Sequence, residues 1–295
     1  MIDQITSYVL GANEPTTLYC LSDASAVIPF PASAIMASVK AGDWPAIQGA
    51  YPESFTNQNQ LRAQVTCYLI QQGDRIILVD TGNGETFTPL AGHVARGQLL
   101  DKLDAIGITP ERIDTVFHTH LHPDHVGWNM RRAGEEWVPT FPNAHHFAPQ
   151  QDWQMCETLL ASGAPEAMYV EQQLLPLQTE QRLTLVDGEY ALTPSICALP
   201  TPGHSPGHMS IQVTVPGSAP YLIAGDAFFH PLQLARPHCH TAIDARNDAA
   251  QANATRAKLV ATIMAEEMLV SACHFYRAAF GRVTTVDGAN HWEPI

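Results

Sequence analysis

The feature that most restricts the fold is a dense group of histidines placed directly after a short apolar run. Residues 113–117 are rich in β-forming side chains, and residues 119–125 then read Thr-His-Leu-His-Pro-Asp-His. This order predicts a loop that leaves the C-terminal end of a buried strand. In an extended stretch, side chains two positions apart point to the same side, so His120 and His122 are expected to face one point.

These side chains are metal-ligand types at unusual density. Positions 120–125 hold three imidazoles and one carboxylate. Imidazole suits Zn, Fe, Ni or Cu, and a neighbouring carboxylate suits a divalent metal that promotes hydrolysis. Because Pro123 bends the chain, Asp124 and His125 are expected to face a second point close to the first. The group therefore favours two metal ions over one.

The charge balance limits the partners. The chain of 295 residues has 29 acidic and 15 basic side chains, which leave a net charge of −14. An acidic surface repels the phosphates of nucleic acids and anionic membranes. We therefore predict a small-molecule substrate and neither a nucleic acid nor a membrane as a partner.

Three features predict a soluble cytoplasmic protein. The six cysteines are scattered without a Cys-x-x-Cys pair, a pattern typical of reduced thiols in a reducing compartment. The N-terminus lacks a basic stretch followed by an apolar one, so no signal peptide is expected. No apolar run approaches the roughly 20 residues that a membrane-spanning helix needs.

Predicted elements fall into two similar halves. In the first half, strands are predicted over 65–70, 75–79, 113–117 and 144–148, with helices over 90–106 and 149–180 that include a break at 163–165. In the second half, strands are predicted over 195–199, 208–215, 221–224, 268–272 and 282–286, with a helix over 247–266. Strands followed by helices, twice over, predict an α/β (α+β) fold: a four-layer αββα sandwich of two mixed sheets flanked by helices.

Three more candidate ligands share one position, directly after a predicted strand. They are His204, Asp226 and His274. Taken singly, His204 and Asp226 are also ordinary turn residues. Taken together, polar groups delivered by several strand ends indicate a site assembled on a rigid scaffold.

The order of these residues resembles that of the metallo-β-lactamase-fold hydrolase superfamily. The resemblance runs from about residue 65 to the end and implies one domain over 1–295, with an N-terminal arm or lid over 1–60 and a helical insertion over 149–180. It implies a first metal bound by His120, His122 and His204. It implies a second metal bound by Asp124, His125 and His274, with Asp226 bridging both. Asp80 matches the acidic residue that supports the site from behind the ligands.

Within the superfamily, the branch of methyl parathion hydrolase and the dinuclear lactonases is the most similar. Residues 141–144, the ligand spacing and the long C-terminal segment carry this resemblance. His122 argues against the flavodiiron branch, which usually has Glu there, and His120 with the full second-metal set argues against the mononuclear lactamases. Members of the favoured branch are often dimers, so the resemblance also implies a homodimer.

The resemblance implies hydrolysis of a small ester-like substrate, with a lactone or carboxylic ester preferred. A hydroxide bridging two divalent ions would attack, and Asp124 or Asp226 would carry a proton to the leaving group. Zinc is the first choice of metal, and Mn, Fe, Co and Ni are alternatives. Hydrolysis of an organophosphate triester and a catalytically silent metal-binding protein are the competing functions.

Aromatic residues near the predicted ligands are candidates for the substrate pocket. Phe228, Phe229 and His230 follow Asp226 and either line the pocket or pack in the core. In the N-terminal stretch, Phe30 and Trp44 would give apolar contacts if that stretch covers the metal cleft. An ordinary packed arm is an equal alternative.

Two other histidines are interpreted as structural. His118 is expected to point away from the ligands. For His208, packing at the start of a strand is favoured over chemistry.

Overall fold

A computed structural model of the chain describes residues 5–12, 15–85, 96–277, 280–286 and 288–295. Contacts divide the chain into two compact units: the first contains residues 1–24 and 65–190, and the second contains residues 25–64 and 191–295. In the described ranges, no helix is long and apolar enough to cross a membrane.

The first sheet is mixed. The strands in chain order are β1 (Ile5–Leu10), β2 (Thr16–Pro31), β3 (Gln60–Gln72), β4 (Arg75–Val79), β5 (Thr115–Phe117), β6 (Met130–Ala133), β7 (Glu136–Pro139), β8 (His145–Pro149) and β9 (Leu183–Val186). Seven of them form a sheet in the order β1-β2-β3-β4-β5-β8-β9, and β6 pairs with β7. Strands β4, β5, β8 and β9 run parallel, so their carboxyl ends share one edge.

The second sheet is also mixed. Its strands are β10 (Tyr190–Thr193), β11 (Ile196–Pro200), β12 (Met209–Val213), β13 (Tyr221–Ile223), β14 (Leu269–Ser271), β15 (Gly281–Val286) and β16 (Ala289–Pro294). They pair in chain order. Strands β13 and β14 run parallel, and the pairs β11–β12, β12–β13, β14–β15 and β15–β16 are antiparallel.

The α-helices are α1 (Ala32–Ile35), α2 (Trp44–Ala50), α3 (Leu99–Ala105), α4 (Pro123–Val126), α5 (Gln150–Ser162), α6 (Met168–Gln173), α7 (Leu175–Thr179), α8 (Leu232–Ala235), α9 (Ala242–Arg246) and α10 (Ala249–Ala265). The predicted break in the helical region 149–180 is present, because Gly163 adopts a left-handed conformation at φ 65° after α5. The strong helix predicted over 247–266 is confirmed as α10, where the Asp248 side chain accepts a hydrogen bond from the Gln251 amide.

The hairpin predicted from residues 65–79 is confirmed. Strands β3 and β4 are antiparallel, and Gln72 pairs with Arg75. Gly73 occupies the turn at φ 58°, a conformation that glycine adopts without steric cost.

The helix predicted over 90–106 is present as α3 over Leu99–Ala105, but it begins later than predicted. Residues 96–98 are not helical, and α3 begins at Leu99; residues 90–95 lie outside the described residues. The physical cause is Asp23. Its carbonyl oxygen accepts the Gln98 amide at 2.8 Å and its carboxylate accepts the Leu99 amide at 2.7 Å, so the chain is held to Asp23 just before the helix starts.

Asp23 is a buried anchor for two loops. Its carboxylate also accepts the Asn83 amide at 2.7 Å and the Trp128 indole N–H at 2.9 Å. Burial raises the pKa of Asp23 to about 6, against the lowering effect of these hydrogen bonds. A Cβ at Gly97 would approach the Asp23 carboxylate to 2.5 Å, so glycine is needed there for the close contact.

We expect Asp23→Asn to lower the free energy of unfolding by about 1–3 kcal/mol, because the amide NH₂ would face the N–H donors that the carboxylate accepts. The folded-state pKa lies above that of an unfolded aspartate. The carboxyl group therefore contributes fully below about pH 4, and its contribution is lost as pH rises through about 6. Urea unfolding should show a larger difference between wild type and variant at pH 5 than at pH 7.5. Equal differences would contradict this account.

Candidate metal centre

In the first unit, Asp80 and residues 118–125 follow the parallel strands β4 and β5 at one edge of the sheet. Asp80 holds both ends of this segment. Its Oδ1 accepts the Thr119 amide at 2.8 Å, and its Oδ2 accepts the Thr119 hydroxyl at 2.7 Å and His125 Nδ1–H at 2.8 Å. Asp80 is itself held at φ 59°, an uncommon conformation for a residue with a Cβ.

His120 and His122 face one point, as their spacing predicts. His120 Nε2 lies 2.9 Å from His122 Nδ1. The Thr119 hydroxyl uses its only proton toward Asp80, so it accepts His120 Nδ1–H at 3.1 Å. His120 therefore presents a lone pair on Nε2.

Pro123 starts the short helix α4 and redirects the chain before Asp124 and His125. His125 donates its Nδ1–H to Asp80, which leaves the lone pair on Nε2, and this atom lies 3.9 Å from Asp124 Oδ1. His125 is buried, and the Asp124 side chain is about one quarter exposed at 24%.

The middle of the histidine segment is fixed through Leu121. Its amide donates to buried Asp152 at 3.1 Å, and its carbonyl accepts the Tyr169 hydroxyl at 3.0 Å. Burial raises the pKa of Tyr169, which keeps the hydroxyl protonated as a donor. His118 is buried and donates Nδ1–H to the His125 carbonyl at 3.2 Å, a structural role.

In the second unit, the parallel strands β13 and β14 deliver Asp226 and His274. Asp226 lies in a 3₁₀ turn over Gly225–Ala227, and His274 follows β14. His274 donates Nδ1–H to the Gln64 carbonyl at 2.8 Å and directs Nε2 toward Asp226 Oδ2 at 2.9 Å.

His204 approaches the same carboxylate from the loop after β11. Its Nε2 lies 3.3 Å from Asp226 Oδ2, and its Nδ1 donates to Asp244 Oδ1 at 3.3 Å. Gly203 lets this loop pass close to α10. It has φ 132°, and a Cβ there would approach the Ala252 backbone to 2.3 Å.

Asp244 is fully buried and supports His204. It closes a capping box with Thr241 at the start of α9, and it accepts the Arg256 guanidinium at 3.1 Å. Burial alone would raise the pKa of Asp244, but the hydrogen bond from His204 and the charge of Arg256 outweigh it and lower the pKa.

His208 holds the backbone of Asp226. Its Nε2 accepts the Asp226 amide at 2.9 Å, so its proton is on Nδ1, which donates to the Thr201 hydroxyl at 2.8 Å. The sequence interpretation, packing at the start of a strand, omitted this contact.

The donor set of each unit fits divalent cations. In the second unit, His204 and His274 each donate Nδ1–H to an oxygen and direct Nε2 to the Asp226 carboxylate, at 3.3 and 2.9 Å. Two imidazole nitrogens and a carboxylate oxygen gathered at one point are ligand types that zinc accepts. Metal-bound histidines in proteins almost always donate their second ring N–H in this way.

Three supporting groups were missed by the sequence interpretation: Asp244, the Gln64 carbonyl and Thr119. For Asp244, the spacing Thr-x-x-Asp from Thr241 was a detectable helix-start signal. A backbone carbonyl such as that of Gln64 carries no residue-type signal.

The predicted pocket residues all lie in the second unit but have different environments. Phe228 is completely buried in the core with Leu222 and Phe275, so it packs as a core side chain. Phe30 is about half exposed at 48%. We name one apolar group the arm cluster; its buried members are Ile28, Ala32, Met36, Trp44, Ile47, Phe55, Leu61, Leu232 and Cys239.

Trp44 belongs to the arm cluster, and Phe229 contacts it. Phe229 packs against it, and the Phe229 ring also lies 4.8 Å from the His274 ring. The cluster therefore extends to a predicted ligand.

Comparison with known proteins gives the family. Residues 61–262 match the metallo-beta-lactamase superfamily. The chain belongs to the metallo-β-lactamase superfamily. This confirms the predicted resemblance and the mixed α/β fold with two large sheets flanked by helices, and it assigns the chain to the metallo-hydrolases.

Sequence relatives in this superfamily include an N-acyl homoserine lactonase from Bacillus cereus. It is 28% identical over 190 residues, which span 60% of this chain and 68% of the relative. The lactonase AttM from Rhizobium radiobacter is 30% identical over 136 residues, 44% of this chain and 47% of the relative. The chain thus matches about two thirds of the first relative and about half of the second.

Solved superfamily structures align over nearly the whole chain. Hydrolase AbOPH has a TM-score of 0.79 at 24% identity, covering 98% of this chain and 97% of its own. AidC, a dizinc quorum-quenching lactonase in complex with a product, N-hexanoyl-L-homoserine, has a TM-score of 0.77 at 19% identity, covering 99% and 98%. At these identities the likeness concerns the fold.

Proposed function

We propose that this metallo-β-lactamase superfamily protein hydrolyses a small ester-like substrate, with a lactone preferred, at a centre of two divalent ions. The ligands are those implied by the family order: His120, His122 and His204 for one ion, Asp124, His125 and His274 for the other, with Asp226 shared. Zinc is the proposed metal, as in AidC.

The observation that carries this proposal is the proton arrangement of the histidines. His120, His125, His204 and His274 each place a proton on Nδ1 toward an oxygen acceptor. In the neutral form, each ring then presents Nε2 as the nitrogen that can ligate a metal.

When bound, divalent ions acidify water and stabilise negative charge that develops on the substrate oxygen. The residues of the chain hold the rings at fixed angles, since Asp80 and Asp244 orient one ligand each. Asp124 is the more exposed carboxylate of the set, which suits it to transfer a proton to the leaving group. The arm cluster supplies apolar surface next to His274 for the rest of the substrate.

Lactone hydrolysis is preferred because the curated relatives named above are N-acyl homoserine lactonases. The domain organisation, one domain over 1–295 with an arm over 1–60 and an insertion over 149–180, stays a prediction. A homodimer acting in the cytoplasm on a small molecule is proposed with it.

The test is a substrate panel with purified protein reconstituted with Zn²⁺. It contains N-hexanoyl homoserine lactone, an aryl ester, a phosphotriester, a chromogenic β-lactam and a thioester. We expect the highest kcat/KM on the lactone. Chelation should abolish turnover and lower the thermal midpoint, because an ion at 1,000 times its Kd stabilises the folded state by about 4 kcal/mol.

Elemental analysis completes the test. About two zinc ions per chain with lactone turnover support the proposal. Two ions per chain with turnover of the phosphotriester alone would show that the substrate class is an organophosphate triester and not a lactone. Two ions without turnover on any compound would favour a silent metal-binding protein, and unchanged turnover after chelation would end the proposal.

A further inference from the structure

Two buried nitrogen donors, one in the arm cluster and one in contact with it, have no hydrogen-bond partner among the described residues. They are Nε2 of His230 and Nε1 of Trp44. His230 is 4% exposed and Trp44 is 7% exposed. An unpaired buried donor costs about 1–3 kcal/mol, so native proteins keep few of them, and each one calls for an explanation.

The proton of His230 is located by its other nitrogen. The Leu232 amide donates to His230 Nδ1 at 3.1 Å, so Nδ1 is an acceptor and the proton lies on Nε2. The backbone of His230 is fixed as well, because its amide donates to the Gln233 side chain at 3.1 Å. Burial lowers the pKa of His230 to about 3, so the ring is neutral at physiological pH.

Aromatic rings surround the imidazole. The Tyr51 ring lies 5.1 Å from it at an interplanar angle of 84°, and the Phe55 ring lies 5.8 Å away. Phe55 also contacts Trp44, with ring centroids 6.1 Å apart. An N–H directed at an aromatic face is a weak interaction, so these rings compensate only part of the lost hydrogen bond.

Phe229 links the surroundings of His230 to a predicted metal ligand of the same unit, because it packs against the arm cluster and against His274. Phe229 directly precedes His230, and its ring stands 4.8 Å from that of His274. His230 is four residues after Asp226 on the same strand exit. A substrate held at these ligands would extend its apolar part toward the arm cluster.

We propose that His230 donates its Nε2–H to a carbonyl oxygen in the side chain of the substrate and thereby determines specificity. The inference rests on the proposed function. The chemistry that fits is an amide or ester carbonyl followed by an alkyl chain: the carbonyl pairs the donor, and the chain contacts Phe55 and Trp44. A site built around such a donor rejects analogues that lack the acceptor more strongly than it discriminates chain length.

The experiment compares two lactones on the zinc-loaded enzyme. N-hexanoyl homoserine lactone has a side-chain amide carbonyl, and a γ-alkyl lactone of similar length has none. His230→Phe removes the donor and keeps an aromatic ring. We expect kcat/KM on the acylamino lactone to fall about 10- to 100-fold, the loss of one well-formed hydrogen bond. On the alkyl lactone we expect a change of less than about twofold.

Two further readouts separate this role from a structural one. A structural role would lower kcat/KM on both lactones in proportion, whereas loss of a contact to the acylamino side chain lowers kcat/KM on that lactone alone. His230→Gln, which keeps an N–H donor, should recover part of the activity on the acylamino lactone. The matched control is His238→Phe at an exposed position, for which activity should not change.

The outcomes are distinct. If His230→Phe keeps the wild-type ratio of kcat/KM between the two lactones, the specificity role of His230 is overturned and the proposed function stands. If the wild type hydrolyses neither lactone, the proposed function fails and this inference fails with it. A selective loss on the acylamino lactone together with partial recovery in His230→Gln supports the inference.

Discussion

Asp226→Ala is expected to lower kcat/KM by about 1,000-fold or more on the best substrate of the wild type. Asp226 Oδ2 lies 2.9 Å from His274 Nε2 and 3.3 Å from His204 Nε2, so the substitution removes the carboxylate that contacts both proposed ligands. Metal ions supply several kcal/mol of transition-state stabilisation, and each 1.36 kcal/mol is a factor of ten in rate. Loss of the shared ligand should therefore remove most of the catalysis.

Steady-state kinetics and elemental analysis of the same preparation check this result. We expect fewer than two zinc ions per chain in the variant and a far-ultraviolet circular dichroism spectrum like that of the wild type. Asp187→Ala is the matched control, because Asp187 is exposed on a turn between β9 and β10. A variant of Asp226 that retained near-normal rates after chelation would refute the proposed role of the carboxylate.

Asp244→Ala is expected to lower the free energy of unfolding by about 3–5 kcal/mol, the range for breaking a buried ion pair on one side. The substitution would leave the buried Arg256 guanidinium without its carboxylate and would remove the capping box with Thr241. It would also release His204 Nδ1, and loss of such a supporting contact typically costs 10- to 100-fold in metal affinity or activity.

Chemical unfolding of the metal-free protein measures the stability effect separately from metal binding. The matched control is Asp248→Ala, since Asp248 is exposed and caps the neighbouring helix α10. That substitution should cost only about 1 kcal/mol. Addition of Arg256→Met to Asp244→Ala should recover part of the loss, because it removes the uncompensated charge. Similar losses for Asp244→Ala and Asp248→Ala would contradict a buried ion pair.

The candidate metal ligands were predictable because residue type and spacing in the sequence are enough to identify them. Residues 120–125 hold four candidate ligand residues in six positions, and the structure brings His120 Nε2 to 2.9 Å from His122 Nδ1. In the second unit, Asp226 and His274 follow parallel strands, so their meeting follows from sheet geometry. The partners behind them depend on tertiary contacts. Asp244 contacts His204 from the start of a helix 40 residues later in the chain, and no local sequence pattern indicates that contact.

Strands β1 and β2 were missed for a different reason. Residues 20–24 of β2 are buried consecutively, so the alternation of apolar and polar side chains that identifies a half-buried strand is lost. Ser22 and Asp23 also read as turn residues, although Asp23 is a buried acceptor for Asn83, Leu99 and Trp128. Strands β6, β7, β9, β10 and β16 are short or lie outside the strongly apolar runs, and they were likewise not predicted.

The anchoring of the histidine segment by Asp80 has a thermodynamic consequence. One carboxylate restrains Thr119 and His125 together, and Leu121 between them is pinned at both its amide and its carbonyl. A loosely held loop would lose conformational entropy when it binds an ion, and this loss would lower the affinity. Here that entropy is lost during folding, so a cation bound at the proposed ligands would retain most of its intrinsic attraction to them as affinity.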